Sequence, residues 1–535
     1  MGQLVHAPWF RAKYQAWCAV EWVKLVPEVD FAVLLLRICS YSLQFLPSPS
    51  YPLDKIRGVS LADIRSSCDE TADNLEAIST AADSRGSLIR VQQLAFCGLK
   101  HQVEGRIDAF SEVLGRVIRV AQSVGIHSDV ARSRKGMDKT DQEMERRTYC
   151  NLYIWDSLLS RQLDCVPFLH GRLPTGSWPQ LHLLDNGRGC GVAAENIHAD
   201  RDVDVPDPFA ERLLQAHLAD FWRSVAPAQD AEYEVIAAEE RYDKFCREYL
   251  SQLPPVFALV DPDETWDKWF PKLALQRQQL HIAIYDSLCW NFRPLLLRRP
   301  NPLPSYKAVV LNSQIKSLSV AALQSLVGVT QLHALLGGFH TPVAAILSST
   351  FESAVVLLYL LTDPSFPKPC AGQPPPTSAE PKTDPLHVCA SKISRLACLQ
   401  AAQGALKRLR MLAEGSSMAD LGATILGQLL SKIPEAGRGR GSAGVGTGTE
   451  DMGAAQNHDV GSSTTTAITT AGSQLESRSA TTGAGGKLSL DGIDLRSVNG
   501  FVAIGDTMDV GDMAPWPYFD TANMYAQDVE YFGDS

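Results

Sequence analysis

The chain lacks the cysteine spacing on which zinc-binding modules depend. Among its 535 residues are twelve cysteines, yet no Cys-x-x-Cys occurs, and the two closest, Cys389 and Cys398, stand nine positions apart. Structural zinc sites take their ligands from pairs only a few residues apart. The histidines are also isolated from one another. The sequence therefore predicts no metal ligands and no cofactor-binding residues in this chain.

Catalytic and nucleotide-binding motifs are missing or out of context. No His-Glu-x-x-His or Gly-x-Ser-x-Gly sequence occurs, and the glycine-rich matches at 439–444 and 483–488 lie in low-complexity sequence. The nearest approach to the aspartate-rich motif of a helical terpene cyclase is "DPDETWD" (261–267), which begins with a proline-broken turn. We predict no catalytic residues, and a helical enzyme is the least favoured function.

Basic sequence and long apolar runs are both scarce. The net charge is −11, and the longest basic clusters are short ones at 131–135, 407–410 and 438–441. Because neutralised phosphates supply much of the affinity for DNA, we expect no DNA binding through the surface of this chain alone. The longest apolar stretch, 341–361, is interrupted by Glu352 and several hydroxyls. This predicts a buried helix instead of a membrane span, and no membrane partner.

The sequence does contain the hydrophobic periodicity of helices. Residues 107–126 carry an apolar stripe at three- and four-residue spacing, formed by Ile107, Phe110, Leu114, Val117, Ala121 and Val124. Residues 388–414 follow the same pattern, whereas strand-like alternation is rare. The fold class predicted is all-α, a large helical array over 1–433 with room for a short strand pair, followed by a disordered C-terminal tail.

Four segments depart from this pattern. Turn-forming residues at 173–208 predict a long surface loop, and prolines at 363–385 predict an extended linker. Residues 434–487 are dominated by Gly, Ser, Thr and Ala, a composition that predicts a disordered linker. The segment 488–535 is an acidic, aromatic tail.

The tail combines negative charge with large aromatic side chains. Residues 491–535 contain nine acidic residues and one base, Arg496. The candidate activation residues among them are Trp516, Tyr518, Phe519, Tyr525, Tyr531 and Phe532. Disordered segments of this composition resemble transcriptional activation tails, in which charge keeps the aromatics solvated until a partner groove accepts them. An ordinary solubilising tail is the alternative interpretation.

The stretch "DQEMERRTYCNLYIWDSLLSRQL" (141–163) raises the question of an acid–base site. Thr140 and Glu143 have the spacing of a capping box, and Glu143 and Arg147 form an i,i+4 pair. An apolar stripe follows, of Met144, Thr148, Leu152, Trp155 and Leu159, flanked by Tyr149, Tyr153 and Leu163. Each residue thus has a structural role, and we predict a framework helix.

The sequence 115–163 resembles the central signature of the fungal-specific transcription factor domain, the middle homology region of fungal zinc-cluster (Zn2Cys6) regulators. The matching residues in the segment 107–210 are Gly125, His127, Glu145, Arg146, Arg147, Trp155, Asp156 and Pro167. The acidic, proline-ended "DVDVPDP" (202–208) also resembles the segment after the signature. Where the family commonly has Gly-Arg-Pro, this chain has Cys165, Val166 and Pro167, so only the proline is retained.

The resemblance implies a nuclear, pathway-specific regulator of transcription, for a biosynthetic gene cluster or nutrient metabolism, and not an enzyme. Its acidic tail would contact the transcription machinery. The family reads DNA through an N-terminal six-cysteine cluster that holds two zinc ions, and no such cluster occurs in this sequence. Zinc is expected as a cofactor only if an upstream cluster exists, and DNA contact would require that cluster or a partner.

Two regulatory hypotheses therefore stay open. One is a transcriptional regulator with a helical regulatory domain and an activation tail. The other is a DNA-binding-deficient adaptor that dimerises with full-length relatives, while homodimers are compatible with either. The first is favoured. Because an activation tail has little use on a protein that never reaches DNA, a chain truncated at its N-terminus is favoured over one that naturally lacks the DNA reader.

Overall fold

The computed structural model describes residues 4–46, 54–134, 136–181, 206–226, 234–297, 303–337, 344–367, 384–386 and 393–433. These residues are mostly helical, which confirms the all-α class. The α-helices described are α1 (Ala7–Cys18), α2 (Val26–Leu43), α3 (Leu61–Ala82), α4 (Leu88–Val103), α5 (Ile107–Val124), α6 (Asp129–Arg134), α7 (Lys139–Leu163), α8 (Ala210–Ser224), α9 (Val235–Glu248), α10 (Pro271–Phe292), α11 (Ser305–Leu335), α12 (Ala344–Leu361), α13 (Arg395–Leu412) and α14 (Ser417–Ser431).

Short elements connect these helices. The strands β1 (Lys55–Ile56) and β2 (Val59–Ser60) form an antiparallel hairpin in which Lys55 pairs with Ser60 and Ile56 with Val59. Both residues of its turn, Arg57 and Gly58, have positive φ, as a tight two-residue hairpin turn requires. The 3₁₀ turns described are Thr175–Ser177, Leu250–Gln252, Pro255–Phe257 and Arg293–Leu297.

The helices α1, α2, α4, α5 and α7 share one hydrophobic core. Buried charge reinforces this core: the Arg90 guanidinium on α4 donates to the Asp30 carboxylate on α2, with Nη2 3.0 Å from Oδ1. The Ser87 hydroxyl donates to the other Asp30 oxygen at 2.9 Å. A buried carboxylate must be paired in this way, because an unpartnered charge inside a protein is strongly destabilising.

The helices after residue 234 pack in chain order, with α11 between α10 and α12, and with α13 against α12 and α14. The buried Arg277 on α10 holds the preceding loop, because its guanidinium donates to both Asp267 oxygens, at 2.9 and 2.7 Å, and to the Val256 carbonyl at 2.7 Å. Of the acids in the segment 261–267, Asp267 and Glu264 thus face this arginine.

The helix predicted in the apolar stretch 341–361 is present as α12 in its described part, and its apolar side chains are buried. Among the described residues, one helix, α11, is long and apolar enough to cross a membrane by length and composition. Of its most apolar window, 61% is buried inside the protein. Core helices of soluble proteins meet the same criterion.

The predicted framework helix is α7, but its start differs from the prediction. The helix begins at Lys139, and the side chain of Asp138, not Thr140, accepts a hydrogen bond from the backbone at this end. The capping box was therefore wrong. Glu143 is completely buried and binds other groups, whereas Asp141 in the first turn accepts a 2.6 Å hydrogen bond from the Trp9 indole of α1.

Periodicity located the helices more reliably than their ends. All residues of the apolar stripe in 107–126 are buried on α5, and those of the stripe on α7 are buried as well. The helix predicted within 388–414 is observed at Arg395–Leu412. The described part of the predicted surface loop, 173–181 and 206–208, is partly buried, with Leu173, Ser177 and Asp207 inside. The linker 434–487 and the tail 488–535 lie outside the described residues.

Two glycine-to-alanine substitutions should change stability in opposite directions. Gly125 ends α5 with φ of 84°, and an added Cβ would lie 3.0 Å from Ala131 Cβ, so G125A is expected to cost roughly 1–2 kcal/mol. The exposed Gly404 lies inside α13, where an added Cβ meets nothing within 4 Å. G404A should stabilise the protein by about 1 kcal/mol. Urea unfolding of both variants tests this, and equal shifts would contradict it.

Candidate regulatory site

Arg146 and Arg147 of the signature, together with the nearby Glu143, anchor two loop segments to α7. The Glu143 carboxylate accepts hydrogen bonds from Arg147 Nε at 3.0 Å and from Arg146 Nη1 at 3.3 Å. It also accepts from the backbone N–H of Gln180, 3.1 Å from each oxygen. Arg146 donates in addition to the Gly176 carbonyl at 3.3 Å. The segment 175–180 is therefore fixed to the helix by charge-assisted hydrogen bonds.

Arg147 extends this network to the segment before α8. Its Nη2 lies 3.7 Å from the Asp207 carboxylate, and its guanidinium stands 4.8 Å from the centre of the Phe209 ring. Asp207 belongs to the acidic, proline-ended segment that follows the signature. The structure thus brings Asp207 of that segment close to the Glu-Arg-Arg element. Glu145, the first residue of this element, is buried on α7.

Asp156 fixes the turn that follows α7. Its buried carboxylate accepts the backbone N–H groups of Phe168 and Leu169, both at 2.9 Å. It also accepts from Arg223 Nη2 on α8 at 2.8 Å. Pro167 directly precedes this clamped pair. The aromatic–Asp pair of the signature is thus divided: Asp156 holds the turn, while Trp155 lines a cavity.

The Gly–hydrophobic–His turn lies beside the same loop. Gly125 ends α5, and the buried Ile126 follows it. The carbonyl of His127 accepts from the Ser177 hydroxyl at 3.1 Å, and its ring lies 6.5 Å from that of Tyr149 on α7. The signature residues therefore join α5, α7 and the loop after α7, and these contacts are structural.

A cavity of about 420 Å³ lies among the helices. The sequence did not predict it. Its walls come mainly from α4, α7, α8, α10 and α12, so it joins helices from both halves of the described chain. The large apolar and aromatic side chains that line it include Phe96, Leu99, Trp155, Leu158, Leu218 and Trp290. Small-molecule sites have about this volume, from roughly 300 to 1,000 Å³, and are lined mostly by apolar groups.

Five charged side chains line the cavity as well. One of them, Arg212 on α8, lies 3.6 Å from the Glu211 carboxylate. The other four are Arg161 on α7, Asp286 on α10, Arg293 directly after α10, and Glu352 on α12. The nearest Arg293 nitrogen to the Glu352 carboxylate, Nη1, lies 3.8 Å from Oε2. Two hydroxyls hold Asp286: Ser349 donates to it at 2.6 Å and Ser325 at 2.8 Å. We call these four residues the charged cluster.

Burial shifts the protonation equilibria of this cluster. It raises the pKa of Glu352 from 4.5 to about 7, against the opposing attraction of Arg293. Burial also raises the pKa of Asp286 and lowers that of Arg161 to about 10. Near neutral pH Arg161 remains charged while Glu352 is partly protonated, so the balance of charge in the cluster favours an anion.

One sequence signal for the cavity was visible. The polar interruptions of the apolar stretch 341–361 argued against a membrane span, but they also share a helical face. The side chains of Ser348, Ser349, Glu352 and Ser353 all line the cavity. Spacings of three and four residues place them side by side on α12.

The described residues offer no arrangement suited to a metal ion. In the described part of the chain, no group of three or more His, Cys, Asp or Glu side chains is placed to bind a metal ion. The cysteines described there are unpaired thiols, of which Cys150, Cys289 and Cys398 are buried. These residues do not fit the zinc cluster that the family resemblance implies.

Removing the Asp156 carboxylate should destabilise the fold. Asp156→Ala leaves the backbone N–H groups of Phe168 and Leu169 and the Arg223 guanidinium without this acceptor, at an expected cost of about 3–5 kcal/mol. Asp164→Asn is a matched control on the exposed residue that ends α7. Thermal unfolding should show a large decrease for the first variant and almost none for the second. Equal melting temperatures would show that the clamp contributes nothing.

Stability should depend on pH through Glu352. Because its folded pKa is raised, the folded chain holds a proton between pH 4.5 and about 7 that the unfolded chain has released. The resulting stability is fully present below the lower value and is lost as the pH rises through the upper one. Glu352→Gln should therefore raise the melting temperature by a few degrees above pH 7 and less under acidic conditions.

Differential scanning calorimetry across this pH range measures the effect. Glu70→Gln, at an exposed position inside α3, is the control and should leave the pH profile of the melting temperature unchanged. A profile unaltered by Glu352→Gln would contradict a raised Glu352 pKa.

Comparisons with known proteins place this geometry in a family. The family model described as Fungal specific transcription factor domain matches residues 5–164, a range that contains every signature residue except Pro167. "Transcription factor xilB" of Penicillium rubens is 40% identical over 440 residues, covering 81% of this chain and 63% of xilB. "Probable transcription factor sol4" of Alternaria solani is 36% identical over 441 residues, covering 81% of this chain and 76% of sol4. No solved structure matches the chain.

These similarities confirm the resemblance stated from the signature, and they point to a transcription factor family, not to an enzyme family. The chain spans less than two thirds of the length of xilB. The extent of the domain over 1–433 stays a prediction, since the matched family range ends at residue 164. The chain belongs to the family of fungal transcription factors that contain the fungal-specific transcription factor domain.

Proposed function

We propose that this chain is a nuclear, pathway-specific regulator of transcription, in which the helical domain controls an acidic activation tail. The pathway is a biosynthetic gene cluster or a route of nutrient metabolism. One observation carries the proposal: a chain of this family ends in 45 residues with nine acids, one base and a set of large aromatics. Such a tail suits contact with the transcription machinery.

The acidic and the aromatic residues of the tail have different physical roles. The acids repel one another and keep the segment solvated, while the aromatics supply the apolar area that a partner groove buries. Aromatic side chains dominate the binding energy of many interfaces, because each buries a large area with few rotatable bonds. Removing the aromatics while retaining the charge should therefore abolish activation.

The adaptor hypothesis is supported by the charge of the chain. With a net charge of −11, it has no excess of basic residues to neutralise DNA phosphates. In this second proposal, a full-length relative reads DNA and this chain joins it as a heterodimer. Formation of the promoter complex only after such a relative is added would support the adaptor.

The activation proposal is tested with the full chain fused to an unrelated DNA-binding module, upstream of a reporter gene. Alanine substitution of Trp516, Tyr518, Phe519, Tyr525, Tyr531 and Phe532 is expected to lower reporter expression about tenfold or more. Alanine substitution of residues 462–466 in the Gly/Ser/Thr/Ala linker is the control and should change little.

A fusion of residues 488–535 alone distinguishes a tail that the helical domain restrains from a tail that cannot activate transcription. Strong activation by the isolated tail with a weak signal from the full chain would indicate that the helical domain restrains the tail. Silence of both fusions at normal protein levels would rule out an activation tail.

A further inference from the structure

We infer that the cavity binds a small monocarboxylic acid, with its carboxylate at Arg161 and Arg293 and its apolar body against the aromatic and aliphatic walls. This site would give the helical domain an effector, and that regulatory consequence rests on the proposed function. Binding itself does not depend on the proposed function and is tested separately.

The polar face of α12 is the first support. Apart from Thr350 and Tyr359, the rest of this helix is apolar, and its buried apolar residues are mostly leucines and valines. Burying an ionisable group and several hydroxyls costs free energy that a leucine in the same place would not. Four polar residues on the cavity side of an apolar helix are therefore expected where a polar ligand group is received.

The second support is the state of the Arg293–Glu352 contact. At 3.8 Å, this ion pair is longer than a hydrogen bond, and its side chains are 10% exposed at Arg293 and 27% at Glu352. A carboxylate entering between Arg161 and Arg293 would form shorter, charge-assisted hydrogen bonds with the guanidinium groups. Glu352, partly protonated near neutral pH, would donate an O–H hydrogen bond to that carboxylate.

Charge also selects among ligand classes. The carboxylate of Asp286 is already held by two hydroxyls, and within the charged cluster two acids face two arginines. The third arginine of the lining, Arg212, is paired with Glu211. This arrangement accommodates one added negative charge more readily than the two of a phosphate. A cation would have to compete with Arg161 and Arg293 for the same acids. An apolar acid with a single charge fits both the cluster and the walls.

The aromatic wall lies next to the charges. The Arg161 guanidinium stands 5.7 Å from the centre of the Trp290 ring, a cation–π distance, and Trp155 lines the cavity from the same helix as Arg161. An acid with its carboxylate at Arg161 would therefore place its body within reach of tryptophan. Binding should quench tryptophan fluorescence.

The test uses the purified full chain and three probes that share one ring system. These are naphthalene-2-carboxylate, its neutral carboxamide and the cation naphthalen-2-ylmethylammonium, with octanoate as a flexible second acid. Isothermal titration calorimetry near pH 7 should give an affinity for at least one acid about tenfold or more above that for the carboxamide. The ammonium should bind least. Equal affinity for acid and amide, preference for the cation, or no acid binding at millimolar concentration would overturn the inference.

Variants then locate the site. Arg293→Gln should weaken acid binding about tenfold while leaving carboxamide affinity unchanged, and Glu352→Gln should retain or strengthen it. A loss of acid affinity in Arg293→Gln without a loss in Glu352→Gln would not arise from a general loss of structure. Arg410→Gln, at an exposed position on α13, is the control.

A cavity-filling variant covers the case in which Arg293→Gln fails to fold. Ser353→Leu occupies cavity volume without removing a charge, and it should abolish acid binding and the fluorescence quenching. Unchanged acid binding in this variant would overturn the inference.

The two proposals fail in distinguishable ways. An acid that binds in calorimetry but leaves the reporter unchanged would support the site and contradict its regulatory consequence. A reporter activated through the tail in a protein that binds none of the acids would uphold the proposed function and remove the ligand site.

Discussion

The pairing of buried charges along α7 is the constraint on which the neighbouring structure depends. Fifteen of the 25 residues of this helix are buried, and they include Glu143, Arg147 and Asp156. Each of these charges must meet a partner, because an unpaired buried charge costs several kcal/mol. The partners are backbone groups and side chains of the segments after α7, so the charges of one helix determine the course of the chain through Gln180 and Asp207.

Sequence reasoning succeeded where burial is periodic along one helix. The stripes on α5 and α7 were correct, because a helix that buries one face repeats its apolar residues every three or four positions. It failed at the start of α7, since the Thr-x-x-Glu spacing does not determine which residue is the N-cap of the helix. Asp138 is the N-cap, and Glu143 is bound by Arg146, Arg147 and the Gln180 backbone.

The charged cluster could not be predicted, because its members are distant in sequence. Arg161 and Asp286 belong to helices separated by more than 100 residues, and Glu352 lies on a third. Only tertiary packing brings them to one cavity. From the sequence alone, each charged residue of the cluster would be placed on a solvent-exposed helix face. The run of hydroxyls around Glu352 indicated a polar face on α12, but it carried no information about which residues that face meets.

A regulatory domain requires two conformational states, and a ligand must be able to change which of them is lower in free energy. A ligand shifts the equilibrium between the states only as far as its affinities for the two differ. The charged cluster supplies a physical source for such a difference. Its free energy depends on protonation and on whether an anion lies between the arginines, because the charges are partly removed from water. The cavity is lined by helices on both sides of the signature loops, so a bound anion would stabilise the arrangement of α7 against α10 and α12. The clamps around Glu143 and Asp156 hold α7 to the adjoining loops, and any such change at the cavity would therefore reach the signature.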